Sequence, residues 1–174
     1  CGEAKVRQVD GKTQVYLQLK SGESIILQTY RQPLQASKPW KYVKEQPFSL
    51  RLDHGWKLHF AESTPDIQGT FDIDRPCSWT NIDHPAAQTN MGTGVYSLDI
   101  ELPALKADNW ILDLGDVRES ARVRINGQEA GCVWAVPYQL KVGQFLKPGK
   151  NHIEIEVTNL PANRIAELDR QGVQ

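Results

Sequence analysis

One dipeptide constrains this chain more than any other feature. Asn126-Gly127 follows Ala121-Arg122-Val123-Arg124-Ile125, where apolar side chains alternate with arginines. Asn-Gly accepts the left-handed backbone that a two-residue reversal between antiparallel strands requires. Alternation with period two sends successive side chains to opposite faces. Ala121, Val123 and Ile125 are therefore expected in a core, and Arg122 and Arg124 on an outer surface. A chain with such a hairpin in it is expected to fold as sheets that bury one face and wet the other.

The same period recurs along the sequence. Val15, Leu17 and Leu19 alternate with polar neighbours before Ser21-Gly22-Glu23, and Ile25, Leu27 and Thr29 resume the alternation after it. That pattern predicts a hairpin over 15–29. A proline-containing connector at 31–39 marks a boundary and divides the chain into 1–36 and 37–174. Further strands are expected over 48–52, 56–60, 69–73, 94–102, 110–114, 121–125, 138–142 and 152–158. Lys147-Pro148-Gly149-Lys150-Asn151 reads as a turn, and only 162–170 has helical character. Many short strands without strand–helix alternation predict an all-β fold. The expected form is an antiparallel β-sandwich of jelly-roll type with an N-terminal β-hairpin and a short C-terminal helix.

Composition narrows the function classes. At 174 residues the chain has room for one domain, or one with an appendage. Its 20 basic and 21 acidic side chains give a net charge of −1, which supplies no field for nucleic acid or an anionic membrane. No apolar run approaches the length of a bilayer crossing, so no transmembrane segment is expected. Cys1, Cys77 and Cys132 stand at no metal-ligand spacing. Cys77 and Cys132 are expected as two small buried side chains rather than a disulfide. Cys1-Gly2-Glu3 resembles the mature start of a bacterial lipoprotein, and the plainer reading is that Cys1 begins an excised piece.

An ordered series of motifs runs through the second part of the chain. It comprises Gly94-Val95-Tyr96, Asp113-Leu114-Gly115-Asp116-Val117, the Ala121 to Gly127 hairpin segment, Gly131-Cys132-Val133-Trp134 and Pro137-Tyr138. Leu146 to Asn151, Val157-Thr158-Asn159 and Asn163-Arg164 complete it. The series resembles the galactose-binding-like, jelly-roll sugar-binding domain of large bacterial glycoside hydrolases. It is similar to that domain in the family-two glycosidases, and more so to the C-terminal module of α-L-rhamnosidase-like enzymes, where an Asn-Arg pair follows the last strand. The resemblance implies a non-catalytic accessory role, with the hydrolytic carboxylates on a separate barrel domain. It makes 1–36 the last strands of a preceding β-domain. It also implies partnership with an oligosaccharide or polysaccharide and with the catalytic domain of the same parent protein. Export to the periplasm or cell surface goes with it. No cofactor is expected beyond a structural calcium, for which no ligands are assigned.

The residues themselves offer no catalytic set. Glycoside hydrolysis needs two carboxylates flanking the scissile bond. Asp66, Asp72, Asp74 and Asp83 lie in one loop-rich region, where acids commonly solvate turns. His54 with His59, and Asp83 with His84, have no diagnostic spacing. No Gly-x-Ser-x-Gly elbow, phosphate loop or HExxH occurs.

Binding is better supplied. Sugars are recognised by flat aromatic faces together with planar amide, carboxylate and guanidinium groups. Trp79 and Asn81 fall in a long polar loop, 75–92. Arg118, Glu119 and Arg122 lie close to the Asn-Gly hairpin, Trp134 and Tyr138 follow it, and Asn163 and Arg164 stand at the terminal helix. Each has a plainer alternative. Trp134 would plug the end of the sandwich, Arg164 would dock the tail, and Asn126 would serve only its turn, while Trp56 and Trp110 belong to the core. Three functions follow from this: a carbohydrate-binding accessory domain, a purely structural buttress of the parent enzyme, or a free-standing surface lipoprotein that binds glycans.

Overall fold

In the computed structural model, which describes residues 2–32, 38–43, 48–104, 107 and 109–173, the first hairpin lies earlier than alternation predicts. Strands β1 (Val6–Val9) and β2 (Lys12–Val15) pair antiparallel, with Val6 opposite Val15 and Val9 opposite Lys12. Asp10 and Gly11 join them with φ of 49° and 72°, so both central residues adopt the conformation that matches strand twist. The pair expected over 15–29 does not form a ladder. A turn is present there, with Gly22 at φ 85° and Glu23 N–H donating to Lys20 O at 3.0 Å. Its flanks, however, spend their hydrogen bonds elsewhere. Tyr16 N–H donates to Lys5 O at 2.9 Å, and the Gln18 side-chain amide pairs in both directions with the backbone of Val43 at 2.7 Å. The strand expected over 48–52 is also absent.

The chain divides into two compact units, Cys1–Leu50 and Arg51–Gln174. The first extends past the boundary expected after residue 36, and residues 33–37 of the connector lie outside the described set.

The second unit is built on strands β3 (Trp56–Thr64), β4 (Thr70–Ile73), β5 (Met91–Leu102), β6 (Ile111–Asp113), β7 (Ser120–Ile125), β8 (Gln128–Val133), β9 (Gln139–Lys141) and β10 (Gly149–Thr158). Six of them form one antiparallel sheet in the order β4-β3-β5-β10-β7-β8, and β6 pairs with β9 in a separate ribbon. Helix α1 (Pro85–Gln88) precedes β5, and α2 (Ala162–Arg170) occupies the span read as helical from sequence.

Alternation decides the faces of the large sheet as expected. Ala121, Val123 and Ile125 have no exposed surface, and Ile153 and Ile155 lie beside them on β10. Arg122 and Arg124 point outward, 3.9 and 3.2 Å from the Glu156 carboxylate on the neighbouring strand. The same rule corrects the cysteine expectation. Val133 takes the inward position at the end of β8, so Cys132 before it faces out and is exposed; Cys77 is half-buried, and both are free thiols.

The layer opposite the large sheet is mostly irregular chain. Leu112 of β6 and Leu140 of β9 pack on the core, and Ile67, Trp79, Ile82, Ala87, Val117 and Val142 are buried side chains of the chain between strands that pack there too.

Asn126 serves its turn with φ 53° and does more besides. Its amide donates to Phe145 O and to Asn151 Oδ1, both at 2.9 Å, and its Oδ1 accepts from His152 N–H at 3.0 Å. Asn151, buried, donates to Lys147 O and Gly149 O at 2.7 and 2.9 Å and accepts from Lys147 N–H at 2.9 Å. Two turns are thereby welded through one side chain. Asn151→Ala is expected to cost on the order of 3 kcal/mol, because buried backbone groups lose their partners. Urea unfolding checks this, and a loss below about 0.5 kcal/mol would show that the turn holds itself.

Candidate functional site

The register of the large sheet brings the loops together at one end. Thr158 of β10 stands opposite Thr93 of β5 and Ser120 of β7, Ala121 opposite Val133, and Thr64 opposite Met91. The segments after β3, β8 and β10 and those before β5 and β7 therefore share that end. Arg118 and Glu119 precede β7, Trp134 and Tyr138 follow β8, and Asn163 and Arg164 lie on α2 after β10. Arg122 sits on the outer sheet face near the same end, opposite Glu156 and Cys132.

Two asparagines stitch this end closed. Asn159 accepts from Gly92 N–H at 2.9 Å and donates to Asn90 O at 3.0 Å, while Asn90, fully buried, donates to Pro65 O at 2.9 Å. Glu119 N–H donates to Thr158 O at 3.0 Å, and the Thr93 and Thr158 hydroxyls meet at 2.9 Å. These positioning residues were not among the sequence candidates. Asn159 alone had a signal, as the last member of the Val157-Thr158-Asn159 motif.

Trp79 is a core residue, contrary to its expected place in a free loop. It opens a 3-10 turn, Trp79–Asn81, and only 7% of it is exposed. Its ring meets Phe60 edge-on at 5.0 Å, and its Nε1–H donates to the Tyr96 hydroxyl at 2.8 Å. It lies so close over Gly94 that a Cβ there would sit 2.8 Å from the indole Cζ2. No face remains for a pyranose. Tyr96 donates in turn to Cys77 O at 3.1 Å. Burial pushes the Tyr96 phenol well above its ordinary range; the Trp79 hydrogen bond only partly opposes this, and Cys77 adds to it. Asn81 follows on the same turn and is exposed, but it belongs to the layer covering the core rather than to a strand end.

Of the remaining candidates, Arg118, Glu119, Trp134 and Asn163 are exposed, while Tyr138 packs partly on the core. Asp116 grips the Arg118 guanidinium at 3.1 and 2.8 Å, and that hydrogen bond, with the carboxylate's charge, favours its charged form further. Trp134 is 76% exposed and plugs nothing. Tyr138 is half-buried, with its carbonyl accepting from Leu114 N–H at 2.9 Å. Arg164 lines an open cleft of about 500 Å³ beside α1 and α2, and Asn163 is exposed next to it. Another hollow, of about 440 Å³, lies at the opposite end of the sheet around Asn126, Asn151 and His152. Its polar groups satisfy one another, His152 Nδ1 lying 2.6 Å from Asp99. Among the described residues there is no group of three or more His, Cys, Asp or Glu that could hold a metal ion. No helix among them is long and apolar enough to cross a membrane.

Comparison with known proteins places this geometry. No protein-family model matches the sequence. A Formosa agariphila protein assigned as a beta-glucuronidase is 32% identical over 126 residues, which is 71% of this chain and 11% of that protein. The rhamnosidase of Novosphingobium sp. PP1Y superposes with a TM-score of 0.66 at 25% identity, covering 80% of this chain and 13% of the enzyme. A beta-glucuronidase from Ruminococcus gnavus superposes at 0.55 with 21% identity over 68% of this chain and 23% of its own, a likeness of fold alone. The resemblance to a domain of large glycoside hydrolases therefore holds, and the chain spans about a tenth of the Formosa protein.

The buried Trp79–Tyr96 pair yields a pH-dependent expectation. A phenol whose folded pKa is raised leaves stability intact below the unfolded value of about 10 and lowers it as pH climbs beyond. Tyr96→Phe is expected to flatten the alkaline decline while costing about 1–3 kcal/mol at neutral pH, since Trp79 Nε1 loses its acceptor. Urea midpoints at about pH 8 and pH 11 measure both effects. An unchanged alkaline slope in the variant would contradict the assignment.

Proposed function

We propose that this chain is a non-catalytic, carbohydrate-binding accessory domain of a multidomain, α-L-rhamnosidase-like glycoside hydrolase acting on complex polysaccharide. One observation carries the reading: Arg118, Glu119, Trp134 and Tyr138 come to one loop end of the sheet, with the Trp134 indole 76% exposed. A large aromatic face left in water beside polar groups suits the C–H surface of a pyranose, whose hydroxyls need planar donors and acceptors around it. Arg118 is already oriented by Asp116, so little side-chain freedom is lost on binding. Glu119 supplies an acceptor beside it. The catalytic carboxylates belong to another domain of the same polypeptide, and the setting is the periplasm or the cell surface, where polysaccharide is met.

A structural buttress is the second reading, favoured by the outer sheet face. Arg122, Arg124 and Glu156 form a half-exposed charge cluster there, suited to a polar contact with a neighbouring domain. The lipoprotein reading rests on Cys1, which lies outside the described residues.

Calorimetric titration of the domain with a panel of neutral oligosaccharides separates the first two. Binding is expected, and Trp134→Ala should weaken it roughly 3- to 10-fold, the worth of one aromatic contact. Absence of binding to every member of the panel would remove the sugar-binding role and leave the buttress.

A further inference from the structure

The cleft beside the two helices asks for a different ligand from the Trp134 platform. Its walls include Pro65, Pro85, Gln88, Thr89, Arg164 and Arg170. The two arginines are not equivalent. Arg170 is committed, with Nε donating to Ala166 O at 3.2 Å and Nη2 lying 2.8 Å from Glu167. Glu167 is committed too, since Gln171 donates to it at 2.6 Å. Arg164 is half-buried and makes no hydrogen bond or ion pair among the described residues.

A guanidinium with no protein partner among the described residues keeps its N–H donors for an incoming oxyanion, which its paired geometry suits. Glu167 also lines the cleft, its charge offset by Arg170, and the helix end favours an anion. Arg164 lies in the first turn of α2, a nine-residue helix with no acidic side chain in that turn and no side-chain cap at its N-terminus. The positive end of a helix adds to the attraction for an anion. The neutral groups nearby fit a sugar ring. Gln88 uses its amide nitrogen on Ile82 O at 3.1 Å, which leaves its carbonyl for a hydroxyl, and the prolines offer flat apolar surface.

We propose that this cleft is a subsite for an acidic sugar, in which Arg164 grips a carboxylate or sulfate ester carried by the polysaccharide. The proposal rests on the carbohydrate-binding reading and adds the charge class of the substrate. The bound oxyanion takes one edge of the Arg164 guanidinium through two parallel N–H bonds, and the ring hydroxyls meet Gln88 and Thr89.

The test uses the full chain in calorimetry against three probes: tetragalacturonate, its fully methyl-esterified form, and a sulfated neutral-backbone tetrasaccharide. At least one charged probe is expected to bind about 10- to 100-fold more tightly than the methyl ester, the worth of a charged hydrogen-bonded pair. The two charged probes distinguish carboxylate from sulfate. Arg164→Gln should erase that preference, and Arg164→Lys should keep part of it. Thermal midpoints close to that of the unaltered chain establish that both variants fold. A preference that survives Arg164→Gln overturns the proposal, as does equal binding of charged and neutral probes. In either case, neutral binding that still depends on Trp134 leaves the accessory-domain reading standing. Failure of every probe to bind overturns the acidic subsite and leaves the accessory-domain reading to the neutral panel.

Discussion

Six strands offer one apolar face to a second layer that contains only two. This imbalance governs the rest of the second unit. Strands β6 and β9 have three residues each, too few to cover β3, β5, β10 and β7 from Trp56 to Ile155. Apolar surface left in water is costly in proportion to its area, so irregular chain must complete the cover. Ile67, Ile82, Ala87, Val117 and Val142 do so, and Trp79 is the largest of the set. The indole brings one polar atom into the core, and Tyr96 satisfies it.

That requirement separates loops bound to the core from loops that are free. The chain between β4 and β5 belongs to the first kind despite its polar composition. Its exit is tied to the end of β10 by the Asn159 side chain, which also holds the start of β5 in place, and to the segment after β3 by the Asn90 side chain. The segments before β7 and after β8, together with α2, belong to the second kind. They carry Arg118, Trp134 and Arg164 on a rigid frame, an arrangement common in binding sites. Two separate chemistries result: an exposed aromatic face and a braced guanidinium at one loop end, and a guanidinium in a cleft with no partner among the described residues.

Sequence pattern was informative where one local rule decides the outcome. The Asn-Gly turn, the inward set Ala121, Val123 and Ile125, and the span of α2 all depend on near neighbours, and all were legible. It failed where partners are distant. Tyr16 and Gln18 have the alternation of a strand, yet they bond to Lys5 and Val43, so no ladder forms over 15–29. Cys132 looked like a small core residue, but the inward place beside it was taken by Val133. Trp79 looked free because its neighbours are polar, and nothing local reveals that Phe60, Gly94 and Tyr96 converge on it.

What the sequence by itself determined is the antiparallel all-β character of the chain and the inward side of β7 and β10. Period-two alternation and turn chemistry act within a few residues, so they need no further context. Only the tertiary structure decided which aromatic and charged side chains remain available. Exposure of Trp134, burial of Trp79 and the place of Arg164 in its cleft depend on contacts between segments far apart in the chain, and on how much cover a lopsided pair of sheets must borrow from its loops.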